Sequence, residues 1–255
     1  MSNSKHPLSL LIDNLLLHSE LPADDQQRVL DLPYRLRTFE PSSYLVREGE
    51  RPEHCSVMVS GFSYRQKQTS GGQRQIVSLH IPGEALDFQH LFLDVADHSV
   101  QMLTRGEVAL LAMRDLQHLV DESPALNRAI ARRTLVEGSI FREWILNVGR
   151  RDAKSRMAHL LCEFALRMRV SGQTGDHSYE LPITQEQFAD AVGLTTVHVN
   201  RTLKALEVEG FVRRNKRNLF IPSWKRLASV ADFNERYLHL KSDPIDRNET
   251  SRWSA

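Results

Sequence analysis

The 255-residue sequence contains only two cysteines, Cys55 and Cys162. They lie too far apart to form a CxxC redox pair or a metal knuckle, so both read as reduced thiols, at least one of them in a core. No run of about 18 apolar residues occurs, which excludes a transmembrane helix. Met1 to Pro7 is polar, and Asp13 and Asn14 interrupt Leu8 to Leu17. A signal peptide is therefore not expected, no membrane is involved, and a cytoplasmic location follows. GxSxG, HExxH, a Walker loop and a dinucleotide fingerprint are all missing, and the scattered carboxylates show no paired logic. Nothing asks for an enzyme or for catalytic residues.

What is present is ordinary in bulk: 41% hydrophobic and 25% charged residues, in a chain long enough for two compact domains. The net charge of +1 hides an asymmetry. Between Leu181 and Arg226 stand Arg201, Lys204, Arg213, Arg214, Lys216, Arg217, Lys225 and Arg226, against only Glu186, Asp190, Glu207 and Glu209. A basic module on a slightly acidic body is the electrostatic footprint of a DNA-binding domain.

Residues 34 to 114 carry short apolar runs separated by turn signals. The runs include Cys55 to Val59, Gln75 to Ile81 and Glu107 to Leu111; the turns fall at Gly49, Gly61, Gly71-Gly72 and Pro82-Gly83. This spacing predicts a β-sandwich or roll. From Pro124 to Val148 the period changes to that of a helix. Ala131, Thr134, Gly138, Phe141, Ile145 and Val148 recur at intervals of 3 and 4, a heptad-like seam suited to a second helix. Gly138 costs about 1 kcal/mol in a helix interior, which close approach of a partner would offset. Ile130, Ile140 and Trp144 lie off the seam and are free to face the chain's own β-domain. Gly149 is expected to end this helix, and Asp152 to cap the next, over Ala153 to Met168. A loop with Gly172, Gly175 and Asp176 follows, and a polar tail from Lys241 to Ala255.

The most specific segment starts at Leu181. Thr184 with Gln187 three residues later is a capping box, so a helix begins there, with Phe188, Ala189 and Val192 inward. Gly193 permits a tight turn, and Thr195 is placed to cap a second helix. In that helix Val199, Leu203 and Leu206 point inward, which turns Thr196, Val197, Asn200, Arg201 and Lys204 outward. An outward valine beside threonines suits a major groove, where Val197 can pack on a thymine methyl and Arg201 can grip guanine O6 and N7. Thr195, His198 and the first backbone N–H groups suit phosphates. Phe211 to Arg214 and Arg217 to Ile221 then form a hairpin with a basic tip at Asn215-Lys216, as a wing would.

These residues resemble the Crp/Fnr family of transcription regulators over nearly the whole chain. Val46 to Glu50, Ser60-Gly61-Phe62, Gly72 to Ile76 and Pro82-Gly83 look like the family's β-roll turns. Ile183 to Glu186, Val192-Gly193 and Val199 to Leu203 look like its helix-turn-helix. The resemblance implies an α+β fold: N-terminal helix and β-roll (double-stranded β-helix) sensor over residues 1–122, dimerisation helix over 123–150, winged helix-turn-helix over 151–231, and a C-terminal extension over 232–255. It implies a homodimer on near-palindromic double-stranded DNA, with RNA polymerase a further partner if the chain is an activator. Base contacts are expected at Thr196, Val197, Asn200 and Arg201. Phosphate contacts are expected at Thr184, Gln185, Thr195, His198, Lys204 and Lys216.

Where cyclic-nucleotide members carry Gly-Glu and Arg-Ser or Arg-Thr, the aligned positions look like Asp87-Phe88 and His98-Ser99. Without the arginine the bidentate clamp for a buried phosphate is gone, which argues against cyclic AMP and against the alternative of a nucleotide-binding regulatory subunit acting on a protein partner. Two cysteines also exclude a four-cysteine cluster within one chain. His54, His80, His90 and His98 fall in the β-roll, which can converge such groups on a metal or haem; no spacing marks a ligand pair, so they read first as surface or core histidines. No metal and no cofactor is assigned, and the effector is left unknown. Cys162 could be a redox switch beside the DNA-binding module, but it sits in the apolar run Leu160, Leu161 and Phe164, where burial would make it inert.

Overall fold

A computed structural model describes residues 6–173 and 178–241; Gly175, Asp176 and the tail beyond Lys241 lie outside them. The described residues fall into two units, Met1–Gly72 with Val77–Gly138, and Gln73–Ile76 with Ser139–Ala255.

In the first unit two short helices, α1 (Ser9–Leu16) and α2 (Ala23–Leu30), precede the strands. Within the stretch Leu8 to Leu17, α1 turns Leu11, Ile12 and Leu15 into the core. The strands are β1 (Tyr34–Phe39), β2 (Tyr44–Val46), β3 (His54–Met58), β4 (Ser63–Gln68), β5 (Arg74–His80), β6 (Ser99–Met102) and β7 (Gly106–Ala112). They form two sheets, β1-β7-β3 and β2-β6-β4-β5. The glycine turns of the sequence lie between them, and at one place the reason for glycine is close approach. A Cβ on Gly61, at φ +77, would stand 2.7 Å from the Arg105 carbonyl oxygen, and one on Gly106 would collide with the Ser60 carbonyl oxygen. No larger residue fits where those two turns meet.

α3 (Met113–Glu122) leads to the long α4 (Pro124–Arg150). Leu126, Ala129 and Ile130 of α4 pack into the core of α1, β3 and β7. Polar side chains add to this anchor: Arg133 donates to Asn14 at 3.3 Å and to Glu84 at 3.2 Å, and Glu84 also meets His80. Arg65 of β4 meets Glu137 at 2.5 Å and the Leu86 carbonyl at 2.6 Å.

α4 does not stop at Gly149 but runs on to Arg150. Nothing there forces an exit from helical geometry, since Gly149 is not in the left-handed region. The break is made instead by Asp152, whose carboxylate accepts from the backbone N–H groups of Lys154 and Ser155 and starts α5 (Ala153–Val170). Ile130, Ile140 and Trp144 are buried. Of the proposed seam, Ile145 is 73% exposed, while Ala131, Thr134, Gly138, Phe141 and Val148 are half-buried. Leu135 and Leu146, not anticipated, are exposed on the same helix.

The second unit continues with β8 (Ser178–Glu180), α6 (Gln185–Val192), α7 (Thr196–Val208), β9 (Arg213–Asn215), β10 (Asn218–Phe220) and α8 (Trp224–Val230). β8 escaped the sequence reading because it is only three residues long and gains its identity by pairing with β10. The C-terminal extension packs as well: the Tyr237 hydroxyl donates to Glu163, which also accepts from Trp144 and Arg167. Glu163 is buried, and these three donors satisfy its charge.

Candidate nucleic-acid interface

α6 begins where its side chains meet the free backbone groups of its first turn. The Thr184 hydroxyl accepts from the Gln187 N–H at 3.2 Å, and the Gln187 side chain accepts from the Thr184 N–H at 2.9 Å. Phe188, Ala189, Ala191 and Val192 are buried. Gly193 then takes φ +64, a left-handed conformation that a Cβ would strain. Arg156 fixes this corner by donating to the Val192 carbonyl at 2.8 Å.

Thr195 caps α7 by accepting from the His198 N–H at 3.3 Å. Val199, Thr202, Leu203 and Leu206 are buried. Thr196, Val197, Asn200, Arg201 and Lys204 are exposed, as are Thr184, Gln185, Thr195 and His198. Val197 is 77% exposed, a large apolar side chain offered to solvent in the first turn. Among the described residues, none pairs with the side chains of Arg201, Lys204, Arg213 or Lys216. The cations of this face are thus available to an anion, and the unpaired N–H groups at the start of α7 reinforce that preference.

The wing is a three-stranded sheet in the order β8-β10-β9. Asn218 pairs with Asn215, which puts the tip at Lys216-Arg217, one residue beyond the expected Asn215-Lys216. The shift follows from the backbone: Lys216 takes φ +56, so the two-residue turn is built on it. Not every basic residue here is free. Arg214 holds Glu207 through two contacts of 2.7 and 3.2 Å, and Arg226 stacks on Phe211.

The Crp-like helix-turn-helix domain model matches residues 155–230, and the cyclic nucleotide-binding domain model matches residues 36–123. FnrL, a transcriptional activator protein of Cereibacter sphaeroides, is 24% identical over 76% of this chain and 79% of its own. The nitrogen fixation regulation protein FixK of Rhizobium meliloti is 26% identical over 78% of this chain and 89% of its own. Among solved structures, FixK2 from Bradyrhizobium japonicum matches with a TM-score of 0.72 and 22% identity, over 78% of this chain and 98% of that one, a likeness of fold. The chain belongs to the Crp/Fnr family. It is a DNA-binding transcription regulator.

The N-terminal β-domain of this Crp/Fnr regulator brings together residues that the sequence left scattered. Asp87, His90 and His98 are buried, and one ligand atom of each lies within 4.8 Å of those of the other two. His54 and His80 stay outside the group. Burial pushes the Asp87 carboxyl up to about 7, although Arg65 pulls the other way. Burial, aided by Arg65, draws His98 down to about 4. Asp87 is the residue that sequence reasoning missed as a candidate ligand. The one signal was its three-residue spacing from His90, which only a tight turn makes meaningful.

Proposed function

We propose that two copies of the chain bind a near-palindromic operator, each inserting α7 into a major groove. Thr196, Val197, Asn200 and Arg201 read base edges, while Thr184, Gln185, Thr195, His198, Lys204 and Lys216 hold phosphates and set the register. The observation that carries this is the outward face of α7, where an exposed valine stands one turn from an unpaired arginine. A face meant only for water has no use for that valine; a thymine methyl beside a guanine does. Pairing of copies through α4 is supported by exposed Leu135, Ile145 and Leu146. The two recognition helices would then engage half-sites about 34 Å apart. Relatives named as transcriptional activators make RNA polymerase the protein partner of this reading, and the cytoplasm its location. No helix among the described residues is long and apolar enough to cross a membrane.

Selection from randomised duplexes should return a two-fold symmetric site. On that site Arg201→Ala should cost about 1–3 kcal/mol and relax preference at one base pair per half-site, while Lys216→Ala should weaken all sequences alike and reduce the salt slope by about one. Unchanged base preference in Arg201→Ala would overturn the assignment.

A further inference from the structure

We infer that Asp87, His90 and His98 form a binding site for one divalent first-row transition-metal ion inside the β-roll. The three are brought together by local geometry. Asp87 precedes the 3-10 turn Phe88–Leu91, and the His90 N–H donates to the Asp87 carbonyl at 2.9 Å. In a 3-10 turn side chains at i and i+3 eclipse, so the carboxylate and the His90 ring fall on one side. His98 joins them immediately before β6, its ring stacked at 6.1 Å on that of His90.

The hydrogen bonds already made leave a lone pair on each ligand nitrogen: His90 Nε2 has no partner, and His98 Nε2 meets only the Gln89 amide, at 3.4 Å. His90 Nδ1 stands 2.9 Å from the Leu93 carbonyl oxygen, which can only accept. Nδ1 therefore carries the proton, and Nε2 keeps its lone pair; that Nε2 is buried with no hydrogen-bond partner. His98 Nδ1 stands 2.7 Å from Asp97 Oδ1, which fixes the same tautomer. A carboxylate or carbonyl on the far nitrogen is how proteins orient metal-ligating histidines and raise their basicity. Both Asp87 oxygens are buried; the Ser56 backbone N–H and hydroxyl approach the carboxyl, but neither oxygen has a partner of ordinary hydrogen-bond geometry. A buried carboxylate and a buried imidazole left unsatisfied side by side are costly unless something fills the space between them.

A cation fills it. Two imidazoles and one carboxylate suit iron(II), cobalt(II), nickel(II) or zinc(II), and not calcium or magnesium, which want oxygen alone. The ligand atoms, within 4.8 Å of one another, need to move by less than about 1 Å to reach the usual metal–ligand distances of about 2.0–2.2 Å. The Gln89 amide, which donates to His98 Nε2 at 3.4 Å, is the contact the ion would displace. The site occupies the positions where the family resemblance aligns the nucleotide-binding residues, so the ion takes the place of the nucleotide as the ligand of this domain.

The test uses the full chain, stripped with a chelator and titrated with cobalt(II), following its d–d absorption, with metal content measured after gel filtration. One cobalt per chain is expected. His90→Gln and His98→Gln should each lower affinity at least about 100-fold, and Asp97→Asn about tenfold, with circular dichroism confirming the fold of each. Asp97 is 80% exposed, so its variant stays informative should a histidine variant fail to fold. Absence of d–d bands and of retained metal in the unaltered protein overturns the proposal. So does unaltered affinity in the histidine variants or, if those do not fold, in Asp97→Asn.

Discussion

At the scale of single residues, the interface depends on caps and turns that satisfy backbone groups. Asp152 is the clearest case: it ends the run of α4 into α5 by accepting from Lys154 and Ser155. The Ser155 backbone N–H, ahead of the Ser155 hydroxyl and the Lys154 N–H, holds its carboxyl below the usual aspartate range. A carboxylate depressed in the folded state stabilises at pH above its unfolded value, and that stability is lost as pH falls through the folded one. Asp152→Ala should therefore lower stability by about 1 kcal/mol near neutral pH. The loss should fade below about pH 4, where the unaltered residue protonates. Asp152→Asn should keep most of the cap and lack the pH dependence, because an amide caps without titrating. Denaturant melts of the three proteins between pH 7 and pH 3 check both statements. The residues of α6 and α7 were legible in the sequence for the same reason: Thr184, Gln187, Gly193 and Thr195 act on partners within a few positions, so no distant contact decides their geometry.

At the scale of elements, α4 has one buried and one exposed apolar face. Ile130, Ile140 and Trp144 are buried within the chain, whereas Leu135 and Ile145 leave 72% and 73% of their surface exposed. Apolar side chains repeated along one helix are what a second helix covers. Leu135→Glu combined with Ile145→Glu should shift the protein from dimer to monomer in sedimentation equilibrium and lower operator affinity at least tenfold, with the melting temperature of the isolated monomer little changed. A variant that stays dimeric would place the pairing surface elsewhere. Periodicity identified this helix, but it could not rank the exposure of Ile145 over that of Phe141 or reveal Leu135. A 3-and-4 pattern marks a stripe; which side of the stripe is covered depends on how the chain folds back on itself. The wing shows the same limit. Its two strands were visible as a hairpin, while the third, β8, exists only because β10 lies beside it.

At the scale of the whole molecule, both thiols are sealed. Cys55 and Cys162 have no measurable exposure. Burial raises both thiols, with Asp87 adding to the effect at Cys55. A charged thiol reagent should therefore find no reactive group in the native protein and two in denaturant, with labelling in the absence of denaturant limited by unfolding. Rapid labelling of Cys162 in the folded state would revive a redox role beside the DNA-binding unit.

By itself the sequence determined the order of the two halves, the β-rich N-terminal region, the long helix and the helix-turn-helix with its outward valine and arginine. All of these follow from hydrogen bonds and apolar spacing a few residues in length. Only the tertiary structure decided which face of α4 is buried, where the wing turns, and that Asp87, His90 and His98 share one buried point. Those outcomes depend on side chains from separate turns and strands being desolvated together, and desolvation is a property of the packed chain that no stretch of sequence carries alone.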